Sequence, residues 1–177
     1  DEDVVYVCEL KMDGIALSMV YEDSRLGRAV TRGDGMQGDE ITANARTIGP
    51  VPLRLRQPGL SCEVRGEVFM LTEDFSRLNE HRQEREQPPF ANARNATAGT
   101  LKLQDSRLVA SRPLRFLAYW LRMDSDPAAT HWEHLEMLRE LGLPTSREAR
   151  RCPGLEDVLA YYQQHARRRE ALEYEID

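Results

Sequence analysis

Apolar and polar side chains alternate along much of the first third of the chain. Residues 4–10 (VVYVCEL), 15–21 (IALSMVY) and 26–32 read as three strands, with Glu22-Asp23-Ser24 as the hairpin turn between the last two. Further strands are expected near 51–55 and over 62–70, and 113–121 (PLRFLAYWL) is a strongly apolar one. Gly33, Asp34, Gly35 and Gly38 mark a flexible loop. The pattern predicts a short helix at about 40–47 with Asp39 as N-cap, a helix capped by Thr72 and running to Arg85, and another over 95–103. Thr130-His131-Trp132-Glu133 is a capping box that opens a helix ending at Gly142, and a last helix spans about 155–169. Runs of strands with helices between some of them give an α+β fold class: antiparallel sheets with flanking helices in one domain.

The alternation also assigns faces. In the first strand Tyr6, Cys8, Leu10 and Met12 fall on one side, and Glu9, Lys11 and Asp13 share the other if extended geometry holds through Asp13. Over 61–70 the small or apolar Cys62, Val64, Gly66, Val68 and Met70 oppose Glu63, Arg65 and Glu67. Leu10, Met12, Val64 and Val68 are therefore expected in the core. The two charged faces fit either solvated sheet surfaces or the walls of one polar pocket, and alternation alone does not choose between them.

Composition narrows the class. The 177 residues are 41% apolar and 31% charged, with no fibrous or disordered bias. No apolar run reaches the ~20 residues of a membrane helix, so no membrane partner is expected. Cys8, Cys62 and Cys152 form no CxxC pair and read as free thiols, in keeping with a reducing cytoplasm. A net charge of −6 argues against bulk attraction to nucleic acid but leaves room for a local basic face. The arginines at 82, 85 and 94, at 107, 112 and 115, and at 167–169 have a plain reading as solvated helix faces. His81, His131, His134 and His165 show no ligand spacing and read as ordinary surface or half-buried residues, and no metal-ligand set is assigned.

Three stretches carry chemistry. ELKMDG at 9–14, TRGDG at 31–35 and EVRGEVF at 63–69 occur in this order, followed by FANARNATAGTLKLQD at 90–105 and HWEHLEMLRELGLP at 131–144. Lys-x-Asp-Gly alone is a weak signal, Gly14 reads equally as a kink between strands, and TRGDG could be a plain glycine-rich turn with Arg32 capping it. Taken together, the stretches resemble the adenylation domain of bacterial NAD-dependent DNA ligases over nearly the whole chain. That resemblance implies the nucleotidyltransferase catalytic core shared with ATP-dependent ligases and mRNA capping enzymes.

The resemblance implies the following roles. Lys11 attacks the α-phosphorus of NAD, nicotinamide mononucleotide leaves, and the lysine–AMP adduct passes AMP to the 5′-phosphate of nicked double-stranded DNA during replication and repair. Glu9 and Leu10 match positions at the adenine, and Arg32 and Glu67 match nucleotide-binding positions, with Glu67 on the ribose. Asp13 matches the acid of the motif, and Arg94 and Lys102 match basic residues near phosphates and DNA. Mg²⁺ or Mn²⁺ is the implied cation, and a monomer in the bacterial cytoplasm, at the nucleoid, the implied setting. Elementary chemistry agrees in part. A free lysine, with a pKa near ~10.4, is neutral in only about one molecule in a few thousand at pH 7, and attack needs the neutral amine. A close carboxylate favours the ammonium, so Asp13 suits orienting the lysine or bearing on a metal better than activating it. A carboxylate at Glu67 accepts well from ribose hydroxyls, although a cross-strand ion pair with an arginine is the plain alternative.

Ala93 stands where the family commonly has proline, and Lys102 where arginine is usual. Lysine cannot grip a phosphate bidentately as arginine can. The chain opens without methionine, and the alternation of Leu172, Tyr174 and Ile176 with Glu173, Glu175 and Asp177 stops at the terminus. One domain spanning 1–177 is thus expected, lacking the family's N-terminal nicotinamide mononucleotide-binding segment and its C-terminal strands. Two other functions compete: an ATP-dependent ligase or capping-type nucleotidyltransferase, and a non-enzymatic nucleotide- or DNA-binding remnant.

Overall fold

The computed structural model describes residues 4–33, 38–125 and 127–177. Asp34 and Gly35, within the loop expected to be flexible, lie outside the described residues. Four strands form an antiparallel sheet: β2 (Ile15–Glu22), β3 (Arg25–Thr31), β4 (Cys62–Met70) and β5 (Leu114–Arg122), in the order β3-β2-β4-β5. The β2–β3 hairpin turns at Asp23 and Ser24, both with positive φ (47° and 64°), the backbone a tight two-residue hairpin requires. Ser24 is fully buried, and its hydroxyl donates to the Gln57 carbonyl at 2.6 Å and accepts from the Leu60 amide at 3.0 Å.

One face of this sheet is apolar. Leu17, Met19, Tyr21, Val64, Val68, Phe116 and Leu121 are buried there. They are covered by α3 (Ala93–Leu101), by α5 (His131–Glu140) and by the 48–55 segment. The opposite face carries Glu63, Arg65 and Glu67, as the alternation predicts. Between β4 and β5 the register slips after Arg65: Arg65 faces Trp120 but Gly66 faces Ala118, so Tyr119 is the extra residue of a bulge. The remaining helices of the larger unit are α1 (Thr42–Ala45), α2 (Thr72–Glu84) and α4 (Ser106–Ala110).

A second, smaller core lies beside the first. β1 (Tyr6–Cys8) pairs antiparallel with β6 (Arg150–Cys152), and α6 (Leu155–Arg168) packs on both. Leu10, Cys152 and Tyr161 are its buried centre, with Leu172, Tyr174 and Ile176 packed around them. Phe69 on β4 meets Tyr174 at 5.1 Å between ring centroids, joining the two cores.

Several expectations are corrected here. The first strand is three residues rather than seven. The 51–55 stretch is no strand but a single bridge, Arg25 to Arg54, because Val51 and Leu55 turn into the core around Pro52. α1 is capped by Ile41 with no side-chain bond; Asp39, the expected cap, pairs instead with Lys102 at 3.0 Å, and the Glu40 carboxylate takes the Thr42 amide at 3.1 Å. α2 begins at Thr72 itself, with Leu71 as N-cap and no side-chain cap bond, and the Thr72 amide, which has no partner within the helix, donates to the Glu173 carbonyl at 2.9 Å. The capping box at Thr130 and Glu133 forms as predicted, and Gly142 closes the helix with φ +93°.

Candidate active site

The Lys-x-Asp-Gly segment sits where the two cores meet. β1 ends at Cys8, and the next residues are clamped by the end of the chain. Met12 bridges to Ile176, the Asp13 amide donates to the Glu175 carbonyl at 2.9 Å, and the Asp177 amide donates to the Lys11 carbonyl at 2.9 Å. Gly14 then brings the backbone against β4. A Cβ on Gly14 would stand 2.3 Å from the Val68 carbonyl oxygen, closer than any side chain permits.

This junction walls a cavity of about 850 Å³, within the range of small-molecule sites. Four groups of residues build it. Glu9, Leu10, Lys11 and Met12 come from the segment after β1, and Ala16 and Glu67 from a facing pair on β2 and β4. Thr31, Arg32 and Gly33 come from the end of β3, with Asp39 beyond them, and Arg94, Ala98 and Leu101 from α3, with Lys102 at its C-cap. The bulged Tyr119, Trp120, His131 and Ser146 complete the wall. Glu9, Leu10, Lys11, Arg32, Glu67, Arg94 and Lys102 therefore gather in one concavity.

Asp13 is placed differently. Its carboxylate accepts from Arg94 Nη1 at 3.0 Å, and it stands behind the wall rather than on it. Lys11, an exposed residue, carries its Nζ against the carboxylate of Asp177, not of Asp13. Met12, expected in the core, is half-buried on the cavity wall, because the strand ends at Cys8 and the strict alternation ends with it. Leu10 does reach a core, the smaller one, as well as the cavity.

The electrostatics are uneven. Burial pushes the Glu67 carboxyl up to about 7, opposed by Arg94 and Lys11 and reinforced by Asp13, while the Gly14 amide draws it down. Burial also raises the Tyr119 hydroxyl, helped by Glu67. Lys11, Arg32, Arg94 and Lys102 give the cavity four cationic side chains in a chain of net charge −6. No three His, Cys, Asp or Glu side chains gather as a metal site among the described residues. Nor is any helix among those residues long and apolar enough to cross a membrane.

One residue on the wall makes a contact that its reading from sequence did not include. His131, taken above for an ordinary histidine, sets its Nε2 2.6 Å from Glu9 Oε2. Nothing in the sequence connects positions 9 and 131, since the contact depends on α5 docking beside the end of β1. Asp177 was likewise read only as the end of a strand pattern.

Comparison with known proteins adds an independent line. The NAD-dependent DNA ligase adenylation domain matches residues 1–177. The chain is 49% identical over 181 residues to a DNA ligase of Chlorobaculum tepidum, covering 97% of this chain and 27% of that protein. It is 46% identical over 177 residues to a DNA ligase of Shouchella clausii, covering 99% and 26%. With a DNA ligase of Thermotoga neapolitana it shares 43% identity over 178 residues, covering 100% and 26%. The chain thus spans about a quarter of the length of these curated relatives.

Proposed function

The chain belongs to the NAD-dependent DNA ligase adenylation-domain family, and from that premise we propose that it forms a lysine–AMP adduct from NAD for the sealing of nicked duplex DNA. The lysine Nζ of residue 11, once its proton is gone and its contact with Asp177 is given up, attacks the α-phosphorus. A phosphorus–nitrogen bond forms, the bond from phosphorus to the bridging oxygen breaks, and nicotinamide mononucleotide leaves with the electron pair. The adenylate then passes to a DNA 5′-phosphate, and a 3′-hydroxyl displaces AMP.

The observation that carries this reading is the gathering of Lys11, Glu9, Arg32 and Glu67 around one nucleotide-sized cavity. Glu9, an acceptor, suits the exocyclic amine of adenine, and Glu67 suits the ribose hydroxyls. Arg32, Arg94 and Lys102 suit phosphate oxygens, where negative charge grows during transfer. Asp13 acts through Arg94, holding that guanidinium in place. Magnesium or manganese would arrive on the dinucleotide phosphates and supply further charge neutralisation there. We assign the single domain to the whole of 1–177, acting as a monomer in the bacterial cytoplasm.

The test offers NAD, ATP and GTP separately to the full-length protein with magnesium, and the adduct is read on the intact mass. An adenylate from NAD alone is expected. Adduct from ATP or GTP, with none from NAD, would move the protein to the ATP-dependent ligases or the capping enzymes. No adduct from any of the three would favour a binding remnant.

A further inference from the structure

The contact between His131 and Glu9 joins the two halves of the molecule across the cavity. Glu9 follows β1 of the smaller core, whereas His131 opens α5, which packs on β5 of the larger sheet. Both residues line the cavity. The Glu9 side chain is 22% exposed and that of His131 39%, so the carboxylate is half-buried while the imidazole stands at the surface. The Thr130–Glu133 capping box fixes the backbone on which His131 stands.

The 2.6 Å contact is assigned with Nε2 of His131 as the donor and Glu9 Oε2 as the acceptor, the direction that an ionised carboxylate requires. With Glu9 Oε2 engaged, the other carboxylate oxygen is left for a ligand, and the carboxylate plane is held in one orientation. Resting on the reading of the cavity as an adenylate site, we propose that His131 is a positioning residue that aims Glu9 at the exocyclic amine of adenine, and so helps set base specificity.

A base with a carbonyl oxygen in place of that amine would present an acceptor to the fixed carboxylate oxygen and be disfavoured. Without His131 the carboxylate is free to swing away, and the two bases become less different. Truncation should therefore act on KM for the correct base rather than on kcat, because the reacting phosphorus and Lys11 are untouched.

The test compares NAD with nicotinamide hypoxanthine dinucleotide, which carries that carbonyl, in adduct formation by the full-length protein. His131→Leu should reduce the NAD preference in kcat/KM by on the order of tenfold, mainly through KM for NAD. His131→Gln, which can still donate, should keep most of the preference. Should His131→Leu not fold, His131→Ala at the same exposed position serves, with the same expectation. A preference unchanged in the Leu or Ala variant, or an equal loss on both dinucleotides, would overturn the proposal while leaving the NAD-ligase reading intact. A wild-type protein that forms no adduct with either dinucleotide would overturn both.

Discussion

Glu67 shows most directly how position on a strand becomes chemistry. It faces the cavity because β4 alternates, and it is paired across the ladder with Ala16, a residue too small to shield it from the site. Burial raises its carboxyl from an ordinary 4.5 to about 7. A carboxyl with a higher pKa folded than unfolded binds more protons in the folded state. Its contribution to stability is therefore full below about 4.5 and is lost as pH rises through about 7. Glu67→Gln should flatten the stability profile across that window, measured by urea denaturation at several pH values. Ligand binding should run the other way, since a ribose hydroxyl donates to the ionised form. Adenosine, which has no phosphate to titrate in this window, should bind more tightly at pH 8 than at pH 6 in the wild type, by up to roughly tenfold as Glu67 ionises, and should lose most of that dependence in Glu67→Gln. Calorimetric titration reads this directly, and an equal slope in both proteins would remove Glu67 from the ribose.

At the scale of elements, what was legible in the sequence was whatever had a long, unambiguous period. β2, β3, β4 and β5 were each readable because one face is buried over seven or more residues. α5 was readable because its cap is local chemistry, and α6 because its length allows a period to show. β6 escaped because three residues, two of them arginines, carry no alternation. α4 escaped because five residues make little more than a turn. Asp39 failed as a cap because a partner distant in sequence, Lys102, engages its carboxylate, and Thr72 because its own amide reaches the Glu173 carbonyl as the first residue of the helix rather than the residue before it. For the site, residues carried by motifs could be named in advance, whereas the partners Asp177 and His131 depended on how the two cores dock. Gly14 is where the segment that carries Lys11 meets β4 at close range. Gly14→Ala would drive a methyl into the Val68 carbonyl and the Glu67 side chain. It should cost about 1–3 kcal/mol, lowering Tm by several degrees, and should displace Lys11 relative to Glu67. Thermal melting checks the first effect and the rate of adduct formation the second. An unchanged Tm would show that the β2–β4 contact yields easily.

The described residues form two cores with a cavity of mixed charge between them, four cations and three carboxylates, in a chain that is acidic overall. Lys11, Arg94 and Lys102 are each held by a carboxylate, of Asp177, Asp13 and Asp39 in turn, and a bound phosphate would compete with these partners. The larger core contributes Glu67, Arg32 and the cations of α3; the smaller contributes Glu9 and Lys11. Neither half holds a complete site, so the account stands on Lys11 being the nucleophile at their junction. The most direct measurement incubates the full-length protein with NAD and magnesium and maps the adenylate by peptide mass spectrometry. The adenylate should sit on Lys11. Lys11→Ala should carry none, and neither should Lys11→Arg, because a guanidinium stays protonated and does not attack. An adenylate of normal yield on any other residue, or one that persists in Lys11→Ala, would contradict the account.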